Sequence, residues 1–151
     1  MGFPLPPPMR AALDVAADAG RAGEVPVGAV VTRNGAVIAS AANRTRADLD
    51  PSAHAEIVAI RAACAALGQD RLTGCDLWVT LEPCAMCAGA IAHARVARLY
   101  YAAGDPKGGG VEHGARVFAQ PTCHHRPEVI AGIGGAEAAR LLRGFFEARR
   151  L

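Results

Sequence analysis

The sequence predicts a mixed α/β fold, a single sheet held between helical layers within one domain. Strand-like and helix-like patterns alternate between about residues 53 and 102, which implies a parallel portion of sheet covered by helices. Asn34-Gly35, set between two short apolar runs, is the strongest short hairpin signal and places an antiparallel pair beside that portion. The chain of 151 residues is 52% apolar but only 5% aromatic, so its core must be built from closely packed Ala, Val, Leu and Ile.

Taken in order, residues 1–8 are rich in proline and lack the basic start and apolar core of a secretory signal; they read as a flexible leader before one domain over 9–151. Apolar residues at helical spacing predict a helix over 9–22, ended by Gly23. Strands follow at 27–32 and 36–41, then a helix over 53–67 for which Asp50-Pro51-Ser52 is the start signal. A strand at 76–81, a helix over 84–93 with Pro83 in its first turn, and a strand at 96–102 complete the alternation. Glycine and proline then dominate to Pro127. A short strand at 128–131 and a helix over 136–150 close the chain, with Arg140, Leu141, Leu142, Phe145 and Phe146 read mostly as core. No repeat and no second domain emerge. Every apolar stretch is broken well short of the ~18 residues a membrane span needs, so the sequence reads as soluble.

His54-Ala55-Glu56 and, thirty positions later, Pro83-Cys84-Ala85-Met86-Cys87 carry the chemistry. A zinc ion that only braces a fold takes four protein ligands, whereas a hydrolytic zinc takes three and leaves a position for water. His54, Cys84 and Cys87 are three. Cys84 and Cys87 stand three apart, so one helical turn brings both sulfurs to one ion, and a helix start favours their thiolates. His54 and Glu56, two apart, share a target only if it lies just off a helix end, so two helix N-termini are expected to converge on one metal. Glu56 is then placed to move protons for the activated water. Cys123-His124-His125 is the rival cluster; a fourth ligand from it would close the site. Cys64 and Cys75 read as buried small hydrophobes, and five cysteines without a disulfide pattern suit a reducing cytoplasm.

These motifs match without gap or substitution the His-x-Glu and Pro-Cys-x-x-Cys signature of zinc-dependent nucleobase deaminases. Glu24-Val25-Pro26-Val27-Gly28-Ala29-Val30, Asp50-Pro51, Thr80-Leu81-Glu82-Pro83-Cys84 and Met86-Cys87-Ala88-Gly89-Ala90-Ile91 are similar, more narrowly, to the bacterial tRNA adenosine deaminase (TadA) family of the cytidine/deoxycytidylate deaminase superfamily. That likeness extends through His93, Tyr101, Asp105 and Lys107 to Phe145-Phe146 and Arg149-Arg150, nearly the whole chain. It implies a three-layer α/β/α fold with a central mixed sheet of about five strands, one Zn2+ per chain, a homodimer, and hydrolytic conversion of a wobble adenosine in a tRNA anticodon loop to inosine. It also implies substrate contacts from Asn43, Val27, Ala55, His93, Asp105, Lys107 and Phe146. After Lys107 the chain departs from the family's familiar Ala, Gly and Ser segment and runs Gly108-Gly109-Gly110-Val111-Glu112-His113.

Two other functions share the motifs: a deaminase of a free nucleobase or nucleoside, and a non-catalytic zinc-binding module. Net charge of +2 does not by itself mark a nucleic-acid binder, but it is unevenly spread. Residues 1–90 hold seven basic and nine acidic side chains and residues 91–151 nine and five, so the basic excess sits in the C-terminal portion.

Overall fold

The computed structural model describes residues 4–149. Four α-helices, α1 (Pro7–Arg21), α2 (Ala55–Leu67), α3 (Ala85–Ala94) and α4 (Gly135–Ala148), pack on a sheet of five strands, β1 (Gly28–Arg33), β2 (Ala36–Ala42), β3 (Cys75–Leu81), β4 (Arg98–Ala103) and β5 (Glu128–Ala131). The spatial order is β2-β1-β3-β4-β5. β1 runs antiparallel to both β2 and β3, whereas β4 is parallel to β3 and to β5, so the sheet is mixed as expected.

Alternation along the central strands divides the core. Ala29, Val31, Leu77, Val79, Leu99 and Tyr101 face the layer of α2 and α3, while Val30, Trp78 and Ala102 face α1 and α4. This period of two makes three layers from one sheet. Trp78 and Tyr100, cross-strand partners on β3 and β4, stack with ring centroids 3.7 Å apart, and the indole N–H donates to Thr32 Oγ1 at 3.1 Å. The hairpin between β1 and β2 turns at Asn34 (φ 52°) and Gly35 (φ 80°), the paired left-handed conformations that a type I′ turn demands.

Element boundaries moved for identifiable reasons. α1 begins at Pro7, not at 9, because Pro7 and Pro8 fill its first turn, where a missing N–H costs nothing; residues 1–3 of the expected leader lie outside the described residues. Its buried face, Met9, Ala12, Leu13, Ala16 and Ala19, keeps the predicted helical spacing. Asp50-Pro51-Ser52 does not start α2. Asp50 instead accepts the Ser52 N–H and hydroxyl at 2.9 and 2.7 Å, forming a local turn, and His54 is the N-cap. Pro83 likewise stands outside α3, whose N-cap is Cys84. Of α4 only Ala138 is fully buried. Leu141 and Leu142 pack partly against the two core clusters, Phe145 is half-buried, and Arg140 and Phe146 are exposed, so the expectation of core for most of them was too generous.

α1 approaches β1 at Gly28. A Cβ there would collide with the Ala12 carbonyl oxygen and come within 2.6 Å of Val15 Cγ2. Gly28→Ala is therefore expected to destabilise the fold by about 3 kcal/mol through overpacking, read as a lower midpoint in urea with an unchanged slope.

Candidate active site

Two helix starts meet beside the end of β3. In each, the N-cap carbonyl accepts the first intrahelical bond, Val58 N–H to His54 at 3.0 Å and Ala88 N–H to Cys84 at 2.8 Å, while the N-cap side chain makes no capping hydrogen bond of its own. Those freed side chains point to a common centre. His54 Nδ1 lies 3.7 Å from Cys84 Sγ and 3.6 Å from Cys87 Sγ, and all three ligand atoms fall within 4.8 Å of one another. Bond lengths of ~2.3 Å to sulfur and ~2.05 Å to nitrogen put the S···N edge of a zinc tetrahedron at about 3.6 Å. The donor set and its spacing thus fit zinc.

Among the described residues no other group of three such side chains comes together. Cys123, the rival, donates its thiol to the His125 carbonyl at 3.1 Å, and His125 Nε2 donates to the Val96 carbonyl at 2.6 Å. Both are engaged in local structure, so the fourth corner is not filled from there.

Glu56, in the first turn of α2, is almost wholly buried. Burial pushes its carboxyl up to about 7, opposed by its own backbone N–H, with the neighbouring Cys84 adding to the rise. The Cys87 thiol donates to Cys84; with the field of the open helix start and the nearby His54, this holds Cys84 down to about 5 against its desolvation, and the shared proton pushes Cys87 up.

A cleft of about 370 Å³ opens onto these groups, within the range of small-ligand sites. Val27, Asn43, Ala55 and Asp105, all expected as substrate contacts, line it beside His54, Glu56 and Cys84. His93, Lys107 and Phe146 do not. His93 is exposed near the far end of α3, in a separate recess with Cys123 and His124; Lys107 is exposed in the loop after Asp105; Phe146 lies edge-on to Phe145 on α4.

The sequence reading missed Val25, Thr45, Leu81, Glu82 and Gly108. Gly108 directly follows the chosen Lys107, and adjacency was the available signal there. Glu82 is fully buried and surrounded by donors. Its Oε1 accepts the Asp105 N–H at 2.9 Å and His113 Nδ1–H at 2.6 Å, and its Oε2 accepts the N–H groups of Val111, Glu112 and His113 at 3.1, 2.9 and 3.1 Å. Desolvation alone would raise this carboxyl, yet those bonds prevail and hold it at about 2.

The chain matches the cytidine and deoxycytidylate deaminase zinc-binding region over residues 7–103. It is 59% identical to a tRNA-specific adenosine deaminase of Agrobacterium fabrum over 95% of this chain and 94% of the relative, and 42% identical to that of Bacillus subtilis over 94% and 88%. A solved structure from work on A-to-I editing by tRNA:A34 deaminases superimposes with a TM-score of 0.88 at 58% identity, covering 89% of this chain and 98% of that one. A guanine deaminase of Nitrosomonas europaea superimposes at 0.75 with 26% identity, over 91% and 82%. The chain belongs to the zinc-dependent cytidine and deoxycytidylate deaminase family, whose members are hydrolytic enzymes. Within it, the chain groups with the tRNA-specific adenosine deaminases.

Cys87→Ala should lower zinc content from one ion to below about 0.2 per chain and depress the melting temperature, measured by elemental analysis and calorimetry on one sample. Because Glu82 is held below its ordinary value of 4.5, its contribution to stability is full above about pH 4.5 and is lost as pH falls toward 2. Glu82→Gln should remove on the order of 3 kcal/mol at pH 6 and much less at pH 3, as read from urea unfolding at both.

Proposed function

We propose that this protein hydrolyses the C6 amino group of the wobble adenosine in a tRNA anticodon loop, leaving inosine and releasing ammonia. The observation that carries the RNA reading is the 59% identity with a tRNA-specific adenosine deaminase across 95% of the chain, against 42% over 64% of the chain with a guanine deaminase of Bacillus subtilis and 26% over 91% with that of Nitrosomonas europaea. His54, Cys84 and Cys87 are the proposed zinc ligands. When bound, the ion acidifies a water molecule and supplies the nucleophile at neutral pH.

The remaining work falls to the chain. Glu56 relays the two protons of the attacking water, one to N1 of the base as the C6–O bond forms and one to the amino nitrogen, which leaves as ammonia as the C6–N bond breaks; a buried carboxyl poised near neutrality suits both transfers. The Asn43 side-chain amide and the backbone around Ala55 offer hydrogen bonds to the edge of a flipped adenine, and Val27 forms apolar wall against its face. Asp105 stands in the same lining for the ribose. His93, Lys107 and Phe146, outside the cleft, are assigned to nucleotides flanking the adenosine, where a basic C-terminal portion favours phosphate.

The domain occupies 9–151 in this reading, works as a homodimer and resides in the cytoplasm, where its substrate is found. No described helix is long and apolar enough to cross a membrane.

Purified protein offered an anticodon stem-loop, guanine, cytosine and adenosine should release ammonia from the stem-loop. Release from free bases alone would refute the RNA reading. Glu56→Gln should keep one zinc per chain while turnover on the stem-loop falls by about 10²–10⁴.

A further inference from the structure

The segment 104–113 has neither helix nor strand, yet it supplies Asp105 and Gly108 to the cleft. Such a segment needs something to hold it, and Glu82 is what it closes around. Four backbone N–H groups and one imidazole, from Asp105 at one end and Val111, Glu112 and His113 at the other, converge on a carboxylate with no exposed surface. The Tyr101 hydroxyl adds a bond to Glu112 from β4.

The glycine run makes that closure sterically possible. A Cβ on Gly109 would lie 2.5 Å from the Glu82 carboxyl carbon, and one on Gly110 would lie 2.5 Å from the Ala85 nitrogen at the start of α3. The Gly110 N–H donates to the Pro83 carbonyl at 2.8 Å, so the loop also rests on the residue preceding the Cys84 ligand. Inside the loop, Asp105 accepts the N–H groups of Lys107 and Gly108 at 3.2 and 2.9 Å.

We infer that Glu82 is a positioning residue: its buried carboxylate holds the 104–113 loop, through backbone the glycines leave uncovered, and so fixes the Asp105 and Gly108 wall of the cleft relative to the zinc ligands. Glu82 joins β3 to Cys84 by a single intervening proline, so one short stretch of chain sets both the metal side and the substrate side of the site. The Glu82 carboxylate is wholly covered by the loop it binds, so its effect is on how well substrate fits. The glycines at 109 and 110 are, in these terms, what lets the backbone wrap an anion.

The kinetic half of the test rests on the RNA reading and the other half does not. In zinc-loaded Glu82→Gln, the amides of Val111, Glu112 and His113 should exchange with deuterium at least about tenfold faster than in the wild type while those of β3 and β4 keep their protection. On the anticodon stem-loop, KM should rise about tenfold or more with kcat within about threefold and one zinc retained. Unchanged loop exchange, or a fall in kcat at constant KM, would overturn the assignment. A wild type inactive on the stem-loop would sink the RNA reading alone, leaving exchange to decide the positioning role. If Glu82→Gln yields no folded protein, His113→Ala, which removes one half-exposed donor, decides: faster exchange at Val111 and Glu112 supports the role, and wild-type exchange overturns it.

Discussion

Everything in the site depends on two helix starts being brought nose to nose beside the end of the sheet's central strand. His54 and Cys84 occupy N-cap positions, where a polar side chain ordinarily turns back to satisfy its own helix. Neither does so. Forgoing that bond costs about 1 kcal/mol per helix, and what it leaves is two outward-facing donors with the positive ends of two helices behind them. Thiolates are favoured in that field, and a metal that binds three such ligands offsets the lost caps many times over. The sheet enforces the meeting. β3 delivers Cys84 at its end, and the antiparallel pair β1 and β2 carries the chain round to His54 on the same side.

Buried carboxylates divide by their hydrogen bonds. Glu24 accepts the N–H groups of Arg46 and Ala47 at 3.2 and 2.7 Å, and Glu82 accepts four N–H groups, so each is a fixed acceptor around which a loop is organised. Glu56 has no such retinue. Its own backbone N–H and the Cys87 thiol offset only part of its burial, and its carboxyl rises toward neutrality where Glu82 falls to about 2. The same residue type thus serves as architecture or, in the proposed reaction, as a proton carrier, according to how many dipoles face it.

What the sequence made legible was local. Ligand spacing, the Asn34-Gly35 turn and the face of α1 all depend on neighbours within a few residues, and each was found where expected. Helix starts were placed less well, because Asp50 and Pro83 carry start signals that the chain spends on a turn and on the residue before a cap. The loop at 104–113 was illegible for a different reason. Its shape is dictated by a side chain more than twenty residues upstream, and no periodicity or turn rule reports such a partner. His93 sits six residues beyond Cys87 along α3, which at ~1.5 Å per residue carries it about 9 Å from the ligand end. Sequence likeness could mark it as a contact, but not say which cavity it faces.

Trp78 is the one tryptophan in the chain, and it lies almost wholly buried on β3, flat against Tyr100 across the seam where parallel pairing begins. Three residues further on, β3 ends at Leu81 and gives way to the stretch that bears Glu82 and Cys84. The molecule therefore carries its own optical gauge: indole emission, shielded from water while that seam is zipped, reports without any added label on the strand from which the metal centre hangs.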